Sequence, residues 1–192
     1  MRREMRHLKQ RTAQPPPEKT KKIDPYLRLL AMKPRVYLET TIPSFLTARS
    51  SNNLILVGEQ ELTRQWWEAR RDDFEMLVSE LVVEECRKGD AEAAARRLAI
   101  ISDLSLLQID EDAVKLVDAI MESGIIPAKA AADAAHIAIA SRHGIDYLLT
   151  WNCRHIANAE IIRKIETVVR QAGYELPVIC TPRELSGGQD ED

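Results

Sequence analysis

Residues 36–45 read V-Y-L-E-T-T-I-P-S-F. Val36, Tyr37 and Leu38 suit a strand buried on both faces, where apolar residues run without alternation. Glu39 then ends the apolar run, and two threonines and a proline follow. An acid in that place either caps the strand in solvent or opens a functional site. The second reading requires partners from the rest of the chain.

Strand and helix patterns alternate beyond this point. Residues 54–71 carry apolar or aromatic residues at 54, 55, 57, 62, 66 and 67, a helical period. Within it, the Trp66-Trp67 pair reads as one indole inside and one shown. Phe74 to Val78 is a short apolar run, and a helix from about Glu80 to Lys88 stops at Gly89. Residues 91–101 read as helix and Leu104 to Ile109 as strand. Asp110, Glu111 and Asp112 open the next helix, because acids suit the unpaired N–H groups of a helix N-terminus; Gly124 ends it. An alanine-rich helix spans 130–143, closed by Gly144. Ile145 to Leu149 is a strand, 159–172 a helix stopped at Gly173, and Leu176 to Cys180 a last strand. The pattern predicts an α/β domain whose mainly parallel sheet is covered on both faces.

The chain has 192 residues and 45% hydrophobic content, enough for one domain with a core. No run approaches the roughly 18 apolar residues of a membrane span, and the basic start lacks the apolar stretch of a secretory signal. Cys86, Cys153 and Cys180 are odd in number and far apart, which is no disulfide framework and points to a reducing cytoplasm. Residues 1–35 hold eleven Lys/Arg against three Asp/Glu, so of the total charge of −3 the remainder carries −11. An acidic domain is not the usual footprint of a tight nucleic-acid binder, but it is compatible with carboxylates that hold metal ions. The expected organisation is a basic, disordered arm over 1–31, a folded domain over 32–185 and a flexible acidic tail over 186–192. For the arm, Met32 as the true start and a role in RNA binding are both open.

In a parallel α/β sheet, ligands sit beyond the carboxyl ends of the strands. Glu39 lies there, and so do Glu84 and Glu85 in the helix after the second strand. Either of these two can be the inward acid; Glu85 shares a face with Leu81. Asp133 lies early in the alanine-rich helix, with His136 one turn on. Thr150, Asn152 and His155 follow the fourth strand. Crowded carboxylates repel unless a cation sits among them, and oxygen-rich sets suit Mg²⁺ or Mn²⁺. Zinc lacks a second cysteine pair or suitable histidine spacing. No phosphate-cradling or dinucleotide glycine motif, no H-E-x-x-H and no G-x-S-x-G is present.

Four stretches, Y-L-E-T-T at 37, S-E-L-V-V-E-E-C-R-K-G at 79, D-A-A-H-I-A-I-A at 133 and L-L-T-W-N-C-R-H-I at 148, come in the order found in the PIN-domain family. Over about 36–185 the chain resembles the VapC-like ribonuclease toxins of type II toxin–antitoxin pairs. The resemblance implies a three-layer α/β/α fold with a five-stranded, mainly parallel central sheet. It also implies metal-dependent endonucleolytic cleavage of RNA, with Mg²⁺ or Mn²⁺ as cofactor. Glu39, Glu85 and Asp133 would be the metal-binding acids, with Asn152 in the fourth position. Thr40, Thr41, His136, Thr150 and His155 would support them. The partners expected are an RNA substrate, a protein antitoxin and a second copy in a homodimer. Glu39 stands where the family usually has Asp, and His155 where an Asp is frequent. The alternative reading is a catalytically impaired PIN-like module that binds RNA or a protein.

Overall fold

The computed structural model describes residues 33–187. The expectations for the basic arm and for the tail beyond Gly187 lie outside the described residues. Strand β1 (Arg35–Leu38) is followed by helices α1 (Thr41–Thr47) and α2 (Leu54–Arg70). Strand β2 (Glu75–Ser79) leads into α3 (Glu80–Cys86) and α4 (Ala91–Ile101). Then come β3 (Ser105–Leu107), α5 (Glu111–Glu122), α6 (Ala131–Arg142), β4 (Tyr147–Leu149), α7 (Ala159–Gln171) and β5 (Val178–Cys180).

The five strands form one sheet in the order β3-β2-β1-β4-β5, and every pairing is parallel. β1 is central: Val36 pairs with Met76 on one side and with Tyr147 on the other. Its Val36, Tyr37 and Leu38 are wholly buried, as a strand with neighbours on both sides and helices on both faces requires. The chain steps outward from β1 to β3, then returns across to β4 and β5. Because such crossovers are right-handed, the reversal puts α1–α4 on one face and α5–α7 on the other. Helix α5 packs on α6 and α7, and α1 packs on α2 and α4, consistent with the two layers. The direction of travel reverses between β1 and β4. Ligand crevices of open α/β sheets form at such a point, beyond the strand C-termini.

Three local differences from the sequence pattern have simple causes. Helix α1 is not among the elements read from the sequence, and it contains a proline. Pro43 falls in the first turn, where its missing N–H is not needed. With only seven residues, the helix draws its stability from burying Ile42 and Pro43. The third strand is shorter than 104–109, since only Leu107 of β3 is buried and Leu106 is 51% exposed. The fourth strand starts at Tyr147 because Ile145 closes α6 instead: its N–H donates to Ala140 O, and Gly144 takes a left-handed φ of 58°.

All three cysteines are free. Burial pushes the Cys86 thiol up to about 11 and Cys180 up to about 12. Alkylation of the native protein at neutral pH is therefore expected to label Cys153, the exposed one, and to reach the other two only on unfolding. Peptide mass spectrometry with and without denaturant reads this directly.

Candidate functional site

Glu39 follows β1 at the reversal point, and its N–H continues the ladder by donating to Leu149 O at 3.0 Å. The side chain is 5% exposed. Its Oε2 accepts three hydrogen bonds: from Thr41 N–H at 3.1 Å, Thr41 Oγ1 at 2.5 Å and Thr150 Oγ1 at 2.7 Å. Both threonines are themselves held. Thr41 Oγ1 accepts the Trp151 N–H at 2.9 Å, and Thr150 Oγ1 accepts the Asn152 N–H at 2.9 Å. The ends of β1 and β4 are thus tied together through one carboxylate oxygen.

Glu85 reaches the same edge from α3, while Glu84 is exposed. The ambiguity between the two follows from helical geometry: Val82 and Cys86 face the core, and Glu85 lies beside them. Glu85 Oε2 accepts from Thr40 Oγ1 and meets His136 Nε2 at 3.1 Å. Burial pushes the Glu85 carboxyl up, but hydrogen bonds from His136 and Thr40, with the Lys88 charge, outweigh it and hold the group below the ordinary glutamate value. A carboxyl depressed on folding stabilises the fold above its unfolded pKa and loses that contribution as pH falls through its folded pKa. In metal-free protein, the gap in melting temperature between wild type and Glu85→Gln is therefore expected to be full at neutral pH. It should shrink below the ordinary glutamate range, about 4.3, and close in stronger acid. A gap that stays constant with pH would rule out this coupling.

Glu39, Glu85 and His136 each offer a donor atom, and these atoms all lie within 4.8 Å of one another. Asp133 sits one turn before His136 in the first turn of α6. It is half-buried, lies outside that close group, and makes no side-chain hydrogen bond or ion pair among the described residues. Asn152 Oδ1 accepts the His155 N–H at 3.1 Å, so it closes its own loop and leaves the amide N–H₂ for contacts at the edge. His155 is half-buried beside it.

The two carboxylates of this group suit a hard divalent cation. Each carboxylate has Oε2 pinned by neighbours, whereas Oε1 accepts no hydrogen bond from the described residues. Neither Oε1 is one of the sealed, unpartnered side-chain atoms, which among the described residues are Gln60 Oε1, Ser141 Oγ and Arg142 Nε. Ligating carboxylates oriented by outer hydrogen bonds are the usual construction of a metal site. A groove of about 830 Å³ along α2 and residues 182–187 is lined by none of these residues.

No family model and no curated protein matches the chain. Solved structures do. The chain is similar to one in the crystal structure of VapBC2 from Rickettsia felis bound to a DNA fragment from their promoter, with a TM-score of 0.50 and 13% identity over 77% of this chain and 98% of that one. The chain has a VapC-like PIN fold. A second similar structure is VapC20 of Mycobacterium tuberculosis, a sarcin-ricin loop cleaving toxin, at TM-score 0.48 and 15% identity over 65% and 95% of the two chains. In this PIN fold the central strand delivers Glu39, the helix after β2 delivers Glu85, and α6 brings His136 against Glu85. Among the described residues no helix is long and apolar enough to cross a membrane.

Proposed function

We propose that the chain is a divalent-metal-dependent endoribonuclease, acting in the cytoplasm as the toxin of a type II toxin–antitoxin pair. The observation that carries the reading is the meeting of Glu39 and Glu85 at the point where the sheet reverses, each with one oxygen pinned and the other free. The similarity to the VapBC2 structure supports a protein antitoxin as partner.

Glu39 and Glu85 hold the cation, and Asp133, from the first turn of α6, completes the acidic set. Bound there, Mg²⁺ or Mn²⁺ neutralises charge on a phosphodiester and lowers the pKa of a water. Thr41 and Thr150 fix the rotamer of Glu39, and Thr40 does the same for Glu85. Such fixing matters because sites of this kind tolerate displacements of only about 0.5 Å. The Asn152 amide is a donor for a phosphate oxygen or water at the same edge.

The test is incubation of the purified protein with a structured RNA and Mg²⁺ or Mn²⁺, beside Glu39→Gln and Asp133→Asn. Cleavage by wild type that both variants lose, and that a chelator stops, is the expected result. Metal-independent RNA binding without cleavage by wild type would instead favour a binding module.

A further inference from the structure

Behind Glu85 runs a buried chain of side chains that meets the carboxylate edge only through His136. Tyr37, on the same strand face as Glu39 two residues on, places its hydroxyl 2.8 Å from His136 Nδ1 and 2.7 Å from Ser79 Oγ. Tyr37 and Ser79 are 0% exposed and His136 is 1% exposed, so bulk water does not reach them. Each polar hydrogen therefore needs an acceptor within the chain.

The hydrogens can be placed consistently in one way for a neutral ring. Ser79 Oγ already accepts the Val82 N–H at 3.4 Å, as the N-cap of α3. Its own proton then goes to the Tyr37 oxygen, and the Tyr37 proton goes to His136 Nδ1. That makes Nδ1 an acceptor and leaves the ring proton on Nε2, where it donates to Glu85 Oε2 at 3.1 Å. The reverse order strands the Ser79 proton and sets the bare Nε2 lone pair against a carboxylate oxygen.

We propose that Tyr37 and Ser79 are positioning residues for Glu85: they fix His136 as the Nε2–H tautomer, so the ring serves Glu85 as a donor and does not serve the cation as a ligand. This assigns His136 differently from what its proximity to Glu39 and Glu85 alone would suggest. It rests on the reading of Glu39 and Glu85 as cation-holding carboxylates. The consequence is a Glu85 whose free oxygen keeps its aim, with a set of ligands that is all oxygen and therefore suited to Mg²⁺ or Mn²⁺ over imidazole-preferring metals.

Two measurements on the full chain test it. The first is the ¹⁵N spectrum of the imidazoles in metal-free protein, with His136→Gln to assign the signal. Wild type should show His136 protonated at Nε2 and bare at Nδ1, and Tyr37→Phe should show mixed tautomers. The second is Mn²⁺ binding by calorimetry. Loss of an outer partner typically costs about 10–100-fold in metal affinity, and Tyr37→Phe should fall at the low end of that range. His136→Gln, which retains an N–H donor, should recover most of what His136→Ala loses. Ser79→Ala probes the far end of the chain if Tyr37→Phe does not fold, as judged by metal-free melting. A bare Nε2 in wild type, or His136→Gln binding as weakly as His136→Ala, would overturn the proposal. Unchanged Mn²⁺ binding by Glu85→Gln would overturn the cation-holding reading beneath it, a result that His136 variants cannot mimic.

Discussion

Glu39→Gln is expected to lose metal-dependent cleavage while keeping its fold. The amide oxygen of glutamine can still accept from Thr41 and Thr150, so the tie between the ends of β1 and β4 survives. What disappears is the negative charge, and an N–H₂ group now occupies the position of the free oxygen. That group has no lone pair for a cation and repels it. Removing an outer partner of a metal ligand costs about 10–100-fold, so removing the ligand itself should weaken Mn²⁺ binding by more than about 100-fold. Calorimetric titration and RNA cleavage rates should fall together, with the metal-free melting temperature close to wild type. Asp133→Asn is the companion measurement, since Asp133 stands apart from the close group in the structure. Cleavage that persists unchanged in both variants would refute the assignment of the site.

Trp66→Ala is expected to be the most destabilising single change on α2. The indole is 1% exposed and stacks on Phe74 with centroids 6.0 Å apart; Phe74 in turn meets Tyr147 of β4 edge-on at 6.1 Å. Its Nε1–H donates to Leu185 O at 3.2 Å, which pins the segment after β5 against α2. Truncating a buried tryptophan costs about 3–5 kcal/mol. In a domain of this size that lowers the melting temperature by roughly 6–20 °C. Trp67 is half-buried with the Arg71 guanidinium 5.7 Å from its ring, and Trp67→Ala should cost far less. Trp66→Phe would separate the two contributions: it keeps a ring against Phe74 but drops the tether, so it should open residues 182–187 to limited proteolysis at a modest cost in stability. Equal losses for Trp66→Ala and Trp67→Ala would refute the assignment of the inward indole.

Helical and strand periods made the α/β alternation legible, because burial of one face imposes them locally. Glycine stops were legible for the same local reason: Gly89, Gly124, Gly144 and Gly173 all take positive φ at helix ends. Helix α1 was hidden because its stability comes from packing and its proline is harmless only in the first turn. Among the acids, the sequence offered Glu84 and Glu85 as near equals, and only the packing of Val82 and Cys86 turned Glu85 toward Thr40 and His136. Tyr37 read as one more core residue of β1. Its hydroxyl partners lie 42 and 99 positions away in the chain, beyond the reach of any local pattern.

The sequence alone determined the order of strands and helices and the strand end from which Glu39 emerges, since these depend on side-chain periodicity over a few turns. Which acid faces Glu39, which ring nitrogen faces Glu85 and which threonines hold the two carboxylates were decided only by tertiary structure. Those contacts join residues from β1, α3, α6 and the end of β4, and their geometry is set by how the parallel strands are ordered across the sheet.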